Sequence, residues 1–212
     1  MNKPVIILGS KGIAKAAYEI FKSNQIIVYG FLDDDKTVHG NEIDEVTILG
    51  HTEDHGFLKL IGQKCDAFIA VDENKMRQSL VKMLNENRKT MPMNAIHADA
   101  RISESSEIGH GNFINAKVFI GAAVKLGQHC ILNTGVTLDH ESIIGDFVQI
   151  GAGSTINAGV EIEEGAFIGS GVTIVGGVKI GKNARIGAGS VVIADVAKNK
   201  TVFGNPAQEI GK

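Results

Sequence analysis

Residues 113–156 read FINAKVFIGAAVKLGQHCILNTGVTLDHESIIGDFVQIGAGSTI. Within them an aliphatic side chain returns at every sixth position: Ile114, Ile120, Leu126, Leu132, Leu138, Ile144, Ile150 and Ile156. The period extends outward without a missed position, back to Ile102 and Ile96 and forward to Ile186 and Val192. Two residues before each lies a second phase, mostly of small or β-branched residues, as at Val118, Val124, Cys130, Val136 and Val148. The residue just after is often Gly or Asn, which suits tight or left-handed turns. A helix repeats every 3.6 residues and a plain strand every two, so neither explains a strict six. A short strand followed by a corner does. Stacked at about 4.8 Å, such strands set each aliphatic residue over its own kind and fill the axis of a narrow prism. Three sides make a coil of about 18 residues, so Ile96 to Val192 spans roughly five coils.

The first half is built differently, since glycine rises sharply only after residue 105. PVIIL at 4–8 reads as a buried strand ending in Gly9-Ser10-Lys11-Gly12, and IAKAAYEIFKS has helical spacing. A second strand covers 26–31 and ends at Leu32-Asp33-Asp34-Asp35, and DAFIAVDENKMRQSLVKML supplies a later strand and helix. This predicts a small Rossmann-like parallel α/β domain over 1–92, with its ligand crevice at the strand carboxyl ends, and a parallel β-helix with a C-terminal tail over 93–212. As a bare motif the glycine turn reads equally as a phosphate cradle or a plain strand-to-helix turn, because a full dinucleotide fingerprint needs a third glycine.

Composition excludes several function classes. Lys+Arg is 21 against Asp+Glu 24, a formal net charge of -3, with no basic tail for a nucleic acid. Cys65 and Cys130 are too few for a disulfide framework or a thiolate metal site and suit a reducing compartment, so a cytoplasmic location is predicted. The N-terminal apolar run is too short for a secretory segment, and no stretch is long enough to insert in a membrane.

The repeats GHGNFI, GQHCIL, GDFVQI, GAGSTI and GKNARI resemble the signature of the hexapeptide acyltransferases, which implies a left-handed coil. Taken in order with GSKG, FLDDDK, FIAVDENKMR and LNTGVTLDHESIIGDF, they make the whole chain resemble the nucleotide-sugar acetyltransferases of the sialic acid O-acetyltransferase and bacillosamine-pathway N-acetyltransferase family. The resemblance implies an acetyl-CoA-dependent enzyme without a metal, assembled as a homotrimer. It also implies a nucleotide-linked sugar held by Gly9, Ser10, Gly12, Asp34 and Asp35, with Val71 and Asp72 nearby and Asn133 beside the acceptor group. Gln149, Ala158, Gly159 and Gly176, with Gly204, Asn205 and Pro206 of the GNPAQEI tail, correspond to acetyl-CoA contacts. The chain departs from the family at Ile13 and Ala14, where His and Gly are common, at Gln149 in place of a second His, and at Gln208 in place of Lys.

LDHESI places Asp139, His140 and Glu141 where other turns carry small residues. Residues one coil apart stack, so the column through His140 contains Ala122, Ala158, Gly176 and Ala194. A strip of small side chains beside one imidazole suits a slender pantetheine arm. Acetyl transfer requires a proton to leave the nucleophile as it attacks the thioester, and an imidazole performs that task near neutrality. His140 is therefore the predicted general base. Glu141, with Asp139 as its competitor, would orient the ring, and the Ala158 amide would meet the oxyanion. A surface histidine on a corner is the plain alternative. The first functional reading is N-acetylation of a UDP-linked 4-amino-4,6-dideoxy sugar. O-acetylation of a sialic acid or other sugar hydroxyl, a zinc hydratase on the same β-helix, and a non-catalytic sugar-binding scaffold are the rivals.

Overall fold

The computed structural model describes residues 3–210, and the chain divides into two compact units between Ala98 and Asp99. In the first unit β1 (Val5–Leu8) leads into α1 (Ala14–Ser23), and β2 (Val28–Leu32), β3 (Glu42–Ile43) and β4 (Val46–Gly50) follow. After them come the short α2 (His55–Leu58), β5 (Asp66–Ile69) and α3 (Asn74–Arg88). The strands form one sheet in the order β3-β4-β2-β1-β5, with β1 parallel to β2 and β5. Only the edge hairpin of β3 and β4 is antiparallel, and it turns at Asp44, whose φ is +52°. β1 is apolar throughout because both its faces are covered. Ile6 and Leu8 join Leu80 and Leu84 of α3 in one core, while Phe21 of α1 meets Phe68 of β5 edge to face with ring centroids 5.5 Å apart. α3 begins where the Glu73 carboxylate accepts from the amides of Lys75 and Met76, a side-chain cap for two helix N–H groups.

The second unit is a three-sided parallel β-helix of two-residue strands. Its first face stacks Arg101–Ile102, Phe119–Ile120, Thr137–Leu138, Thr155–Ile156, Thr173–Ile174 and Val191–Val192. The second face stacks Glu107–Ile108, Lys125–Leu126, Ile143–Ile144, Glu161–Ile162 and Lys179–Ile180. The third carries Phe113–Ile114, Ile131–Leu132, Gln149–Ile150, Phe167–Ile168 and Arg185–Ile186. The second residue of each strand is the periodic aliphatic side chain. It points inward and stacks in register on its counterpart, as Leu132 pairs with Ile150 and Ile150 with Ile168. From Ile114 to Val192 these residues are buried, and burial of each contributes about 1.5–3 kcal/mol.

The glycines that follow the aliphatic residues have a different cause from the one expected. From Ile108 to Ile186 left-handed backbone falls three residues after each aliphatic, not one. It occurs at Gly135, Gly153 and Gly171, and also at His129, Glu141, Phe147 and Asn183. The glycine directly after the aliphatic residue is there for clearance between coils. A Cβ on Gly145 would stand 2.7 Å from the Glu164 amide, and one on Gly121 would stand 2.9 Å from the His140 amide. Asn133 and Asn157 occupy the same position by sending their side-chain amides to the carbonyls of Ile150 and Ile174 on the next coil.

After Val192 the period breaks. Val196 bridges to Ile180, and Val202 pairs with Ile186, so each falls short of the position the repeat would assign. The chain then reverses, Thr201–Gly204 pairing antiparallel with Ala207–Glu209, and Lys200 meets Glu209 at 2.6 Å.

Candidate functional site

The carboxyl ends of β1, β2 and β5 surround a cavity of about 300 Å³, lined by all seven residues predicted in this unit: Gly9, Ser10, Gly12, Asp34, Asp35, Val71 and Asp72. The turn after β1 needs both its glycines. Gly9 has φ +103° and an added Cβ would lie 2.5 Å from the Ala70 carbonyl oxygen. Gly12 has φ +56° and faces the Asp72 carboxylate. Ser10 fastens this turn to the end of β2, its amide and hydroxyl both donating to Asp33 Oδ2, at 2.9 and 2.5 Å, while Asp33 Oδ1 accepts from the Asp35 amide. Partial burial pushes the Asp33 carboxyl up, but the Ser10 and Asp35 donors outweigh it and hold the group below its ordinary value. Asp34 Oδ1 accepts from the amide and hydroxyl of Thr52, at 3.0 and 2.8 Å. Asp35 Oδ2 pairs with Lys11 Nζ at 2.7 Å. That bond and those from Thr37 hold the Asp35 carboxyl well below the usual carboxylate range, and the same pair raises Lys11.

On the β-helix, Asp139-His140-Glu141-Ser142 forms the corner between the first and second faces. The ring stands out from the prism with 57% of its side chain exposed, and its Nδ1 lies 3.5 Å from Glu141 Oε2. Asp139 Oδ1 instead accepts from the His140 backbone amide at 2.8 Å, so this carboxylate braces the turn. Glu141 occupies the left-handed corner position at φ +59° and donates its amide to the Ala122 carbonyl on the coil before. On the coils after, the Gly159 amide donates to the His140 carbonyl and the Gly177 amide to that of Ala158. The side chains stacked with the imidazole are therefore a methyl at Ala122, a methyl at Ala158 and none at Gly176. The Ala158 amide donates no hydrogen bond among the described residues, which leaves it available to an anion.

The remaining predicted residues lie elsewhere on the prism. Asn133 sits at the corner between the third and first faces, and Gln149 stands half-buried on the third face, opposite the corner that carries His140. Gly204, Asn205 and Pro206 form the turn of the terminal hairpin on that third face, where the Gly204 amide donates to Ser190 Oγ. A single chain therefore brings together His140, Glu141, Ala158, Gly159 and Gly176 and keeps Gln149 and the tail apart from them. His110 and His129 belong to another corner again, His129 buried and stacked on Phe147 with centroids 5.0 Å apart. Among the described residues no three His, Cys, Asp or Glu side chains converge as a metal site would require. No helix among them is long and apolar enough to cross a membrane.

Sequence reasoning missed Lys11 and Thr52 as cavity residues and Arg77 as the support beneath it. Arg77 is buried and donates to the carbonyls of Val71 and Asp72 and to Asn74 Oδ1. Nothing in the pattern of α3 signals this, because an arginine there reads as solvent-facing. Ile13 heads α1 with no side-chain cap, so the departure from the family's histidine leaves no polar group at that point.

The model of the PglD N-terminal domain matches residues 4–84, and that of the bacterial transferase hexapeptide (six repeats) matches 141–176 and 159–194. No curated protein matches the chain. Among solved structures, a variant of perosamine N-acetyltransferase from Caulobacter crescentus, with one histidine replaced by asparagine and with CoA and GDP-perosamine bound, is 30% identical. The match covers 99% of this chain and 97% of that one, with a TM-score of 0.90. PerB from the same organism, also with CoA and GDP-perosamine, is 31% identical over 98% of this chain and 97% of its own, with a TM-score of 0.89. The acetyltransferase domain of PglB from Neisseria gonorrhoeae, in complex with acetyl coenzyme A, is 26% identical over 99% and 100%, with a TM-score of 0.88.

Proposed function

Since the chain belongs to the nucleotide-sugar acetyltransferases built on a left-handed β-helix, we propose that it moves the acetyl group of acetyl-CoA to the amine of a nucleotide-linked amino-deoxy sugar. The observation that carries this reading is one exposed imidazole, His140, in a column otherwise made of alanine and glycine, on a chain alike over its whole length to a perosamine N-acetyltransferase. The cavity of the first unit holds the nucleotide, and the acceptor is of the 4-amino-4,6-dideoxy type.

In the reaction, His140 takes a proton from the acceptor nitrogen as the nitrogen lone pair attacks the thioester carbonyl carbon. The carbonyl π electrons move to oxygen, and the Ala158 amide donates to that oxyanion. Collapse re-forms the carbonyl and breaks the carbon–sulfur bond, and the coenzyme A thiolate leaves and takes up the proton that His140 holds. Glu141, whose Oε2 lies 3.5 Å from Nδ1, is the carboxylate that would orient the ring and leave Nε2 as the accepting nitrogen. The alanine and glycine column gives the pantetheine arm a flat bed beside the ring.

Gln149 and the Gly204–Pro206 turn lie on another side of the prism from His140. If both groups touch one acetyl-CoA, two copies of the chain build each site, an arrangement that the homotrimer proposed here would provide. A nucleotide-linked sugar and acetyl-CoA as substrates fit a cytoplasmic enzyme that acts ahead of a glycosyl transfer in glycan biosynthesis. His140→Ala is expected to lower kcat by about 10²–10⁴-fold and to leave coenzyme A binding intact. Turnover within a few-fold of wild type would remove His140 from the mechanism. Thiol release from acetyl-CoA with UDP-, GDP- and CMP-linked amino sugars identifies the acceptor, and a hydroxyl acceptor without an amine should give none.

A further inference from the structure

The first-unit cavity is lined by four aspartates, at 33, 34, 35 and 72, and Lys11 is the one basic side chain among its described lining residues. A diphosphate lodged among those carboxylates would meet repulsion from every side. A nucleoside would not, because its hydroxyl and ring N–H groups are the donors that ionised carboxylates can accept. Asp33 is already spent on Ser10 and the Asp35 amide, and Asp34 Oδ1 on Thr52. The acceptors left are the second oxygen of Asp34, the Asp72 carboxylate, and the Asp35 oxygen that Lys11 holds at 2.7 Å. The charge pattern thus favours the nucleoside inward and the phosphates outward, beside the Lys11 ammonium, which rides with 66% of its side chain exposed.

We propose that Lys11 is the diphosphate ligand of this site, and that its ion pair with Asp35 is a latch that the incoming nucleotide opens. The proposal rests on the nucleotide role given above to this cavity. On binding, Lys11 exchanges one carboxylate oxygen for a phosphate oxygen, and Asp35 is released to accept from the nucleoside. The exchange is cheap because an ion pair this exposed is worth little in water. A lysine suits it, as a mobile point charge on a flexible stem that can reorient between two anions. The Asp35 side chain stays anchored while its partner changes, since its Oδ1 accepts from the amide and hydroxyl of Thr37.

Calorimetric titration of the full chain with nucleoside, monophosphate and diphosphate, in a uridine and a guanosine series, tests this. Wild type should bind one diphosphate more tightly than its monophosphate. Lys11→Met should weaken the diphosphate about tenfold while changing the nucleoside less than about twofold. Asp35→Asn keeps an oxygen for the Thr37 contacts and frees Lys11, so inorganic pyrophosphate should bind several-fold more tightly to it than to wild type. A Lys11→Met protein with wild-type diphosphate affinity, or an Asp35→Asn protein with unchanged pyrophosphate affinity, overturns the latch. If wild type binds no nucleotide of either series at millimolar concentration, the nucleotide role of the cavity falls with it. Thermal melts near that of wild type establish that the exposed substitutions leave the fold intact.

Discussion

In the α/β unit, Ser10 reaches an aspartate 23 residues away and Thr52 one 18 residues away. In the β-helix the corner that carries His140 is held to the coils before and after by a uniform ladder of backbone bonds. The first unit makes its site from loops that hold one another by side chains. The site proposed on the second is a regular stack left nearly bare, with one ring added. A loop site depends on each fastening bond, whereas a stack site depends on the ladder as a whole and on very few side chains.

Substitutions can break that contrast. Ile150 is fully buried at the middle of the third face, and Ile150→Ala should cost about 2–5 kcal/mol by denaturant titration, the largest loss expected here. A loss below about 1 kcal/mol would mean that the stack tolerates a hole in its axis. Ser10→Ala should cost less, about 1–2 kcal/mol, because it removes one hydroxyl bond to a carboxylate and leaves the amide bond. The pH dependence sharpens this test. Asp33 is held below its ordinary value in the folded chain, so its contribution is present above the unfolded carboxylate range and is lost as pH falls through the depressed value. The Ser10→Ala deficit should therefore shrink on acidification below about pH 4, and a deficit constant with pH would count against the role given to that bond. Glu141→Gly should show the smallest effect and the opposite sign. Relieving a side chain at φ +59° is worth about 1 kcal/mol of added stability, while the orienting role proposed for Glu141 predicts a fall in turnover. A variant both more stable and fully active would assign the orienting role elsewhere.

The period of six was readable because stacking sets like residues on like, so one coil's requirement is repeated by the next. His140 stands out for the same reason, as the residue that interrupts a column of alanine and glycine. The frequent glycine after the aliphatic residue is visible in the sequence but its cause is not, since clearance between coils is a property of two segments a full turn apart and backbone freedom of only one. Lys11 and Arg77 were invisible as site residues because their partners are set by how loops meet in space. No period or local spacing encodes that Arg77 turns inward to bind the carbonyls of Val71 and Asp72.

A solenoid that stops abruptly offers its last row of amides and carbonyls to any passing copy, and repeated joining at that edge would yield a filament. Here the early return at Val196 and Val202 spoils the register, and the reversed strand Ala207–Glu209 presents the wrong polarity on the third face. Growth along the axis at that end is thereby discouraged.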